Sequence, residues 1–465
     1  MQRCQQFIQA SALMALVTFT GSVFAIEKPK TVEDMWKIIQ EQQKQIDALK
    51  SQVATPPVAA QASTGNGDVK NLERKTNVLS QEVEKLRTNL AIPEEAKYKS
   101  AYGLGPAASK IYSAGKGLSV GGYGEANYQA NVADKGDNKN RADLERAVLY
   151  FGYKFTDRIL FNSEIEYEHA TTGEGAEERG EVSVEFAALD FFIDPLANVR
   201  AGLVLIPQGF INLIHEPPFF FGNFRPEVEQ RILPSTFREV GVGLFGQITP
   251  ELTYTTYVVN ALNAAEFTSD GIREGRGGGS QALAEDLAFV GRVDYTPVAL
   301  PGATIGGSAY VGNSGQNQKF DGQKANALVQ LYEGHLQWKY RGLEFRALGA
   351  WGFIGNADIL SAASGQTIGS QSFGWYTELG YNLLPNIFPN TNQYLAPFVR
   401  YEALDTIAKA PTGFADDLTK DWKIYQIGLQ YKPIPNVVIK ADYRNRVAKA
   451  GPLSDDFNLG FGYIF

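Results

Sequence analysis

From Leu118 onward, apolar and polar side chains alternate one by one. In "LEFRALGAWGF", Leu343, Phe345, Ala347, Trp351 and Phe353 share one parity, and Glu344 and Arg346 take the other. "LAPFVRYEA" sets Leu395, Val399 and Tyr401 against Arg400 and Glu402, and "VVIKADYRNR" sets Val437, Ile439, Ala441 and Tyr443 against Lys440, Asp442, Arg444 and Arg446. A period of two is the signature of a strand with two unlike faces. A soluble sandwich alternates as well. Charge on the second face of nearly every strand, with aromatic residues near the strand ends on the first, distinguishes a barrel with lipid outside and water inside.

The pattern predicts strands at 118–130, 144–155, 158–169, 181–194, 197–206, 239–248, 251–261, 286–296, 302–312, 327–340, 342–354, 370–384, 394–405, 421–432, 435–446 and 455–465. Sixteen is an even number, as a single-chain bacterial outer-membrane barrel requires. Short turns such as "TDR", "PLA", "TPE" and "RG" alternate with long connections at 131–143, 170–180, 207–238, 262–285, 313–326, 355–369, 406–420 and 447–454. Short turns belong on the periplasmic side, so both chain ends are expected there. The fold class expected is all-β: a 16-stranded antiparallel transmembrane β-barrel over 118–465, carrying an N-terminal periplasmic coiled-coil helical segment.

That segment occupies 26–100, where the period is 3.5. Val32, Met35, Ile39, Ile46, Leu49 and Val53 form one heptad series with Gln42 as its polar core position; Val69, Leu72, Leu79, Val83, Leu86 and Leu90 form a second with Thr76. A Pro/Ala/Gly-rich linker, 54–68, separates them. A stripe this narrow on a Gln/Lys/Glu-rich helix favours helices wound around each other, and a single helix lying on the rest of the protein is the plainer alternative. Residues 101–117 read as a linker.

Composition adds compartment and exclusions. The start of the chain combines Arg3, the apolar run "ALMALVTFTG" and the small-residue site Val23-Phe24-Ala25, so 1–25 reads as a signal peptide. The one cysteine, Cys4, lies within it, which leaves the mature chain without disulfide or cysteine metal chemistry. Removing Arg3 leaves 42 basic against 51 acidic residues, an acidic balance that argues against nucleic acid as a partner. His169, His215 and His335 sit at no metal-ligand spacing, so neither metal nor other cofactor is expected. "GRGGGS" at 275–280 lacks a following Lys-Ser or Lys-Thr and reads as a flexible extracellular tip. With no second histidine beside His169, an enzyme is not expected.

Sixteen strands enclose a lumen too wide to select solutes unaided. Selectivity then falls to an inward-folded loop and to wall charges. The third loop, 207–238, is the longest and carries Arg225, Arg231, Arg238 and His215 beside Glu227 and Glu229. Guanidinium groups suit oxyanions and carboxylates. The plainer reading pairs these arginines with Glu227 and Glu229 and makes them scaffolding. Strand parity places Arg146, Arg292, Arg346, Arg400 and Arg444 in the lumen together with Glu164, Glu344 and Glu402, as selectivity charges or as wall salt bridges. At the terminus, Leu459, Phe461, Tyr463 and Phe465 fall on the lipid face, where rings favour the headgroup boundary.

The alternating aromatics ending on Phe465 also resemble the C-terminal signal by which outer-membrane proteins are recognised for insertion; this implies Phe461, Tyr463 and Phe465 as insertion signal and the barrel-assembly machinery as a partner. The stretch "LVLIPQGFINLIHEPPFFFGNFRPEVEQRILPSTFREVGVGLFGQITPEL", and within it "EPPFF…RPEVEQRILPSTFREVGVGLFG", resembles the third loop of the phosphate-selective porin O/P superfamily and most closely its coiled-coil-bearing DcaP-like porins. That resemblance implies a homotrimer in outer-membrane lipid, passing small anions such as phosphate or dicarboxylates. The phosphate porins' arginine ladder and lysine cluster do not appear here as a continuous series. Two other functions remain open: a barrel whose coiled coil tethers the envelope or whose loops bind a partner, and a barrel that sheathes another protein.

Overall fold

The computed structural model describes residues 99–172 and 179–465. The signal peptide, the heptad series and the 54–68 linker lie outside the described residues. Sixteen strands form one closed barrel: β1 Gly117–Ala133, β2 Arg141–Lys154, β3 Ile159–Glu168, β4 Val182–Asp194, β5 Ala197–Leu205, β6 Arg238–Thr249, β7 Leu252–Asn260, β8 Leu287–Tyr295, β9 Ala303–Asn313, β10 Leu328–Tyr340, β11 Leu343–Ile354, β12 Gln371–Tyr381, β13 Tyr394–Lys409, β14 Asp421–Ile434, β15 Val437–Ala448 and β16 Asp455–Ile464. A two-stranded hairpin, Lys319–Phe320 with Gln323–Lys324, lies outside the barrel sheet. Each strand pairs antiparallel with its sequence neighbours, and β16 closes on β1 with Tyr128 opposite Leu459 and Tyr123 opposite Ile464. Closure leaves no strand edge with unpaired N–H and C=O groups, the condition for sheet in hydrocarbon.

The alternation sorts as expected. Along β16, Phe457, Leu459, Phe461 and Tyr463 face outward, with Phe461 51% exposed, while Asn458, Gly460, Gly462 and Ile464 are buried inside. Trp351, Val399 and Ile439 are likewise exposed outward, and Arg346, Arg400 and Lys440 buried inward. Among the described residues no helix is long and apolar enough to cross a membrane. Terminal Phe465 locks the seam: its N–H donates to Gly122 O at 2.9 Å and its carbonyl accepts from Gly122 N at 3.1 Å. A Cβ on Gly122 would come within 2.7 Å of the Phe465 ring, so the last aromatic lies directly over a glycine.

Three features depart from a plain meander. The connection 382–393, at the short-turn end, holds a helical turn, Leu384–Ile387. The start of the 275–280 stretch is folded inward: Gly275 is buried, Gly277 N donates to Glu239 Oε1 at 2.7 Å, and Leu262, Phe267 and Ile272 of the same loop are buried, whereas Gly279 and Ser280 are exposed. Third, residues 101–113 enter the short-turn end of the barrel as a wedge that ends in the helical turn Lys110–Ser113. Leu104, Ala107 and Ala108 cluster there with Tyr123, Val148, Tyr150, Phe186 and Leu205 of β1, β2, β4 and β5.

Candidate functional site: the constriction loop and its walls

The chain between β5 and β6 folds into the lumen and is clamped by cations of β11 to β15. Its run "PPFFFGNF" cannot form strand, because Pro217 and Pro218 lack donors and the three phenylalanines need cover. Its orphan carbonyls are satisfied from the wall instead. Arg346 Nη2 donates to Phe219 O at 2.5 Å, Arg400 Nη2 to Phe221 O at 2.6 Å, and Lys440 Nζ to Gly222 O at 2.8 Å. The rings receive wall cations as well: Lys440 stands 3.6 Å over Phe220 and Arg444 4.4 Å over Phe224. Phe221 stacks on Phe398 at 5.0 Å.

Wall carboxylates bind the loop's donors in turn. Asp442 accepts from Asn223 N at 2.8 Å, and Glu402 accepts from Val228 N at 3.2 Å at the start of the helical turn Val228–Arg231. The loop's own Glu229 accepts from Phe210 N, Ile211 N and the Tyr376 hydroxyl, at 2.6–2.8 Å. Burial holds Glu229 above the usual carboxylate range, partly offset by the Tyr376 bond.

All eight wall charges named from parity point inward, and each has a partner. Arg400 pairs with Glu378 at 2.9 Å, which Arg346 also reaches at 3.2 Å, and lies 3.8 Å from Glu402. Arg444 forms a two-pronged pair with Asp456, both bonds 2.8 Å. Arg292 bonds Asp294 at 2.7 Å and donates to Gly209 O at 2.6 Å. Arg146 of β2 lies 3.0 Å from Glu125 and 2.6 Å from Glu145. Glu164 holds His215 Nε2 at 3.1 Å, and Glu344 pairs with Lys339 at 3.0 Å.

The loop arginines divide. Arg231 is neutralised by Glu227 at 3.1 Å and Asp270 at 2.8 Å, and lies 4.0 Å over Trp422. Arg238 pairs with Glu185 at 2.5 Å yet keeps a buried Nε without a partner. Arg225 is buried with both Nε and Nη2 unpartnered, within electrostatic reach of Glu125 of β1 and Glu166 of β3.

Sequence reasoning missed two cations in the next loop. Arg276 donates to Thr236 O at 2.9 Å beside Arg238, which donates to Thr236 Oγ1 at 3.3 Å. Arg273 keeps a buried, unpartnered Nη1. Burial, with the positive charges of Arg276 and Arg225, pushes Arg273 down to about 10. Parity assigns no direction to loop residues. The available signal was apolar: Leu262, Phe267 and Ile272 in an otherwise exposed connection imply that it folds inward.

Between the wedge and β4–β8 lies a cavity of about 590 Å3, with Tyr102, Phe192, Phe245, Tyr254 and Arg200 among its lining. Arg200 is committed there to Asp190, at 2.6 and 2.8 Å. Among the described residues, no group of His, Cys, Asp and Glu is arranged to hold a metal ion.

No protein-family model matches the chain. Of known structures, OmpF of Salmonella typhi, solved in complex with daunomycin, superposes with a TM-score of 0.53 at 13% identity, covering 76% of this chain and 99% of that one. The outer membrane channel DcaP of Acinetobacter baumannii gives 0.48 at 15% identity over 75% and 97%. In sequence, an uncharacterised protein of Aquifex aeolicus (strain VF5) is 38% identical over 394 residues, which span 82% of this chain and 87% of that protein. The chain belongs to the same family as this Aquifex aeolicus protein, and its fold is the closed, porin-like barrel of sixteen antiparallel strands.

Proposed function

We propose that the protein is an outer-membrane porin for passive diffusion of small hydrophilic solutes, with a preference for anions such as phosphate or dicarboxylates. The observation that carries the preference is the gathering of Arg225, Arg238, Arg273 and Arg276 on the third and fourth loops, with buried guanidinium donors left unpartnered on the first three. Buried donors are costly to leave unmade, and a passing oxyanion or carboxylate satisfies them with charge assistance. The wall arginines Arg146, Arg292, Arg346, Arg400 and Arg444 lie in ion pairs and contribute little net field, and Lys440 is engaged by Gly222 O and the Phe220 ring. Within this reading the chain is a DcaP-like member of the phosphate-selective porin O/P superfamily, supported by the likeness of residues 203–252, and the heptads of 26–100 support a homotrimer. Phe461, Tyr463 and Phe465 then serve as the insertion signal read by the barrel-assembly machinery.

The test is reversal potential across a salt gradient in planar bilayers. Wild type is expected to prefer anions. An unscreened charge about 5 Å from an ion in water is worth about 0.8 kcal/mol, so Arg225→Ala should lower the anion-to-cation ratio roughly fourfold or more. Arg231→Ala, which leaves Glu227 paired with Arg444 and Asp270 with Lys420, should change it far less. Equal conductance of both ions in wild type would make the protein a general porin, and absence of step conductance would favour a tethering role for the coiled coil.

A further inference from the structure

The wedge at the short-turn end is attached to the constriction loop itself. Glu216, which immediately precedes "PPFFF", accepts from Ala107 N at 2.9 Å and Ala108 N at 3.4 Å through Oε1. Gly105 makes this approach possible, because a Cβ there would lie 2.7 Å from the Glu216 carboxyl carbon. The rest of the wedge is held by side chains from successive strands. Asn162 of β3 donates to Ala108 O at 2.9 Å, Arg200 of β5 to Tyr102 O at 3.1 Å, and the Tyr112 hydroxyl to Asp190 of β4 at 2.7 Å. Apolar packing supports these bonds: a Cβ on Gly152 of β2 would strike Ile111.

Two aspects distinguish this from an ordinary terminal segment tucked against a wall. First, its central anchor belongs to the constriction loop: 206–237 is the non-strand chain that folds into the lumen. Second, on its outer side the wedge continues into the heptad-bearing stretch of the sequence. Residue 99 leads directly into the wedge, whose Ala107 and Ala108 amides hold Glu216 next to the loop's Pro217. His215, on the other side of Glu216, is held by Glu164.

We propose that residues 101–113 form an internal latch, in which Glu216 seated on the Ala107 and Ala108 amides over Gly105 positions the constriction loop, so that the open area of the pore is set from the short-turn end. Glu216 is a positioning residue in this scheme and touches no solute. The latch rests on the channel reading above.

The experiment uses the full chain with Cys4→Ser in planar bilayers. Glu216→Ala removes the acceptor, and unit conductance should rise roughly twofold with frequent transitions between levels, as expected when a constriction widens. Glu216→Gln keeps an oxygen for both amides and should restore the wild-type level, which a merely destabilised loop would not do. In Gly105→Cys/Glu216→Cys, the oxidised channel should conduct at a single steady level and dithiothreitol should convert the same channel to the Glu216→Ala behaviour, reversibly. Wild-type steps that are unaffected by Glu216→Ala and by reduction of the cysteine pair would overturn the latch while leaving the porin intact. No conductance in wild type would overturn the porin reading and the latch together.

Discussion

Arg400 presents one of the more consequential perturbations. Its guanidinium donates to Phe221 O at 2.6 Å, to Phe224 O at 3.3 Å, to Gln426 Oε1 at 2.9 Å and to Glu378 Oε2 at 3.0 Å, and the residue is 3% exposed. Arg400→Met preserves much of the side-chain volume and removes every donor. Two loop carbonyls then lose their partners, Glu378 retains only Arg346, and Glu402 retains the Val228 amide. Breaking a buried pair by removing one partner costs about 3–5 kcal/mol. If that cost falls on loop docking, the released population rises by a factor of roughly 10² to 4 × 10³, since each 1.4 kcal/mol is tenfold. The barrel has no such dependence, because β13 stays paired with β12 over Phe373–Gly380 and with β14 over Asp421–Lys432 through main-chain bonds. The variant should therefore insert, keep its sheet circular dichroism, and show raised and noisy single-channel conductance with new protease cleavage within 207–237. Ion selectivity should change less than in Arg225→Ala, because Glu378 keeps its pair with Arg346. A variant with quiet wild-type conductance and an uncleaved loop would refute the clamp; a large selectivity shift at unchanged conductance would make Arg400 a filter charge.

Two further outcomes follow from packing and protonation. Gly380 on β12 faces the Phe221 ring so closely that Gly380→Val must displace it from its stack on Phe398; overpacking of about 1–3 kcal/mol should appear as a lowered unfolding temperature on heated gel migration, and an unchanged one would refute the contact. Burial pushes Glu216 up to about 8, with Glu164 acting in the same direction and the Ala107 and Ala108 amides and Tyr150 opposing it. A carboxyl raised in the docked state stabilises docking fully below its ordinary value of about 4.5, and that contribution is lost as pH rises through about 8. The wedge should thus be released more readily at pH 9 than at pH 6, seen as faster proteolysis near residues 101–113, and Glu216→Gln should abolish the difference.

Strand positions were legible to within a few residues. Predicted 239–248 became Arg238–Thr249, and 394–405 extended to Lys409, because the barrel wall continues past the membrane-facing alternation into the long-loop end. Inward direction was legible for Arg146, Arg292, Arg346, Arg400, Arg444, Glu164, Glu344 and Glu402. Their partners were not. Glu378 meets both Arg346 and Arg400 only because β12 lies between β11 and β13 in a register that sets Arg346 and Arg400 on either side of it.

The sequence by itself therefore determined the elements, their number, the face of each side chain and the unusual length of the third loop. These are local properties: a two-residue period follows from the pleat of a single strand, and one chain segment suffices to express it. The tertiary structure alone decided that the basic wall is occupied in holding "PPFFFGNF", that Arg225 and Arg273 keep donors free while Arg231 is neutralised, and that Gly105 meets Glu216 across more than a hundred residues of chain. Those outcomes depend on strand stagger at closure and on where an irregular loop re-enters the lumen, and no periodicity along one segment encodes either.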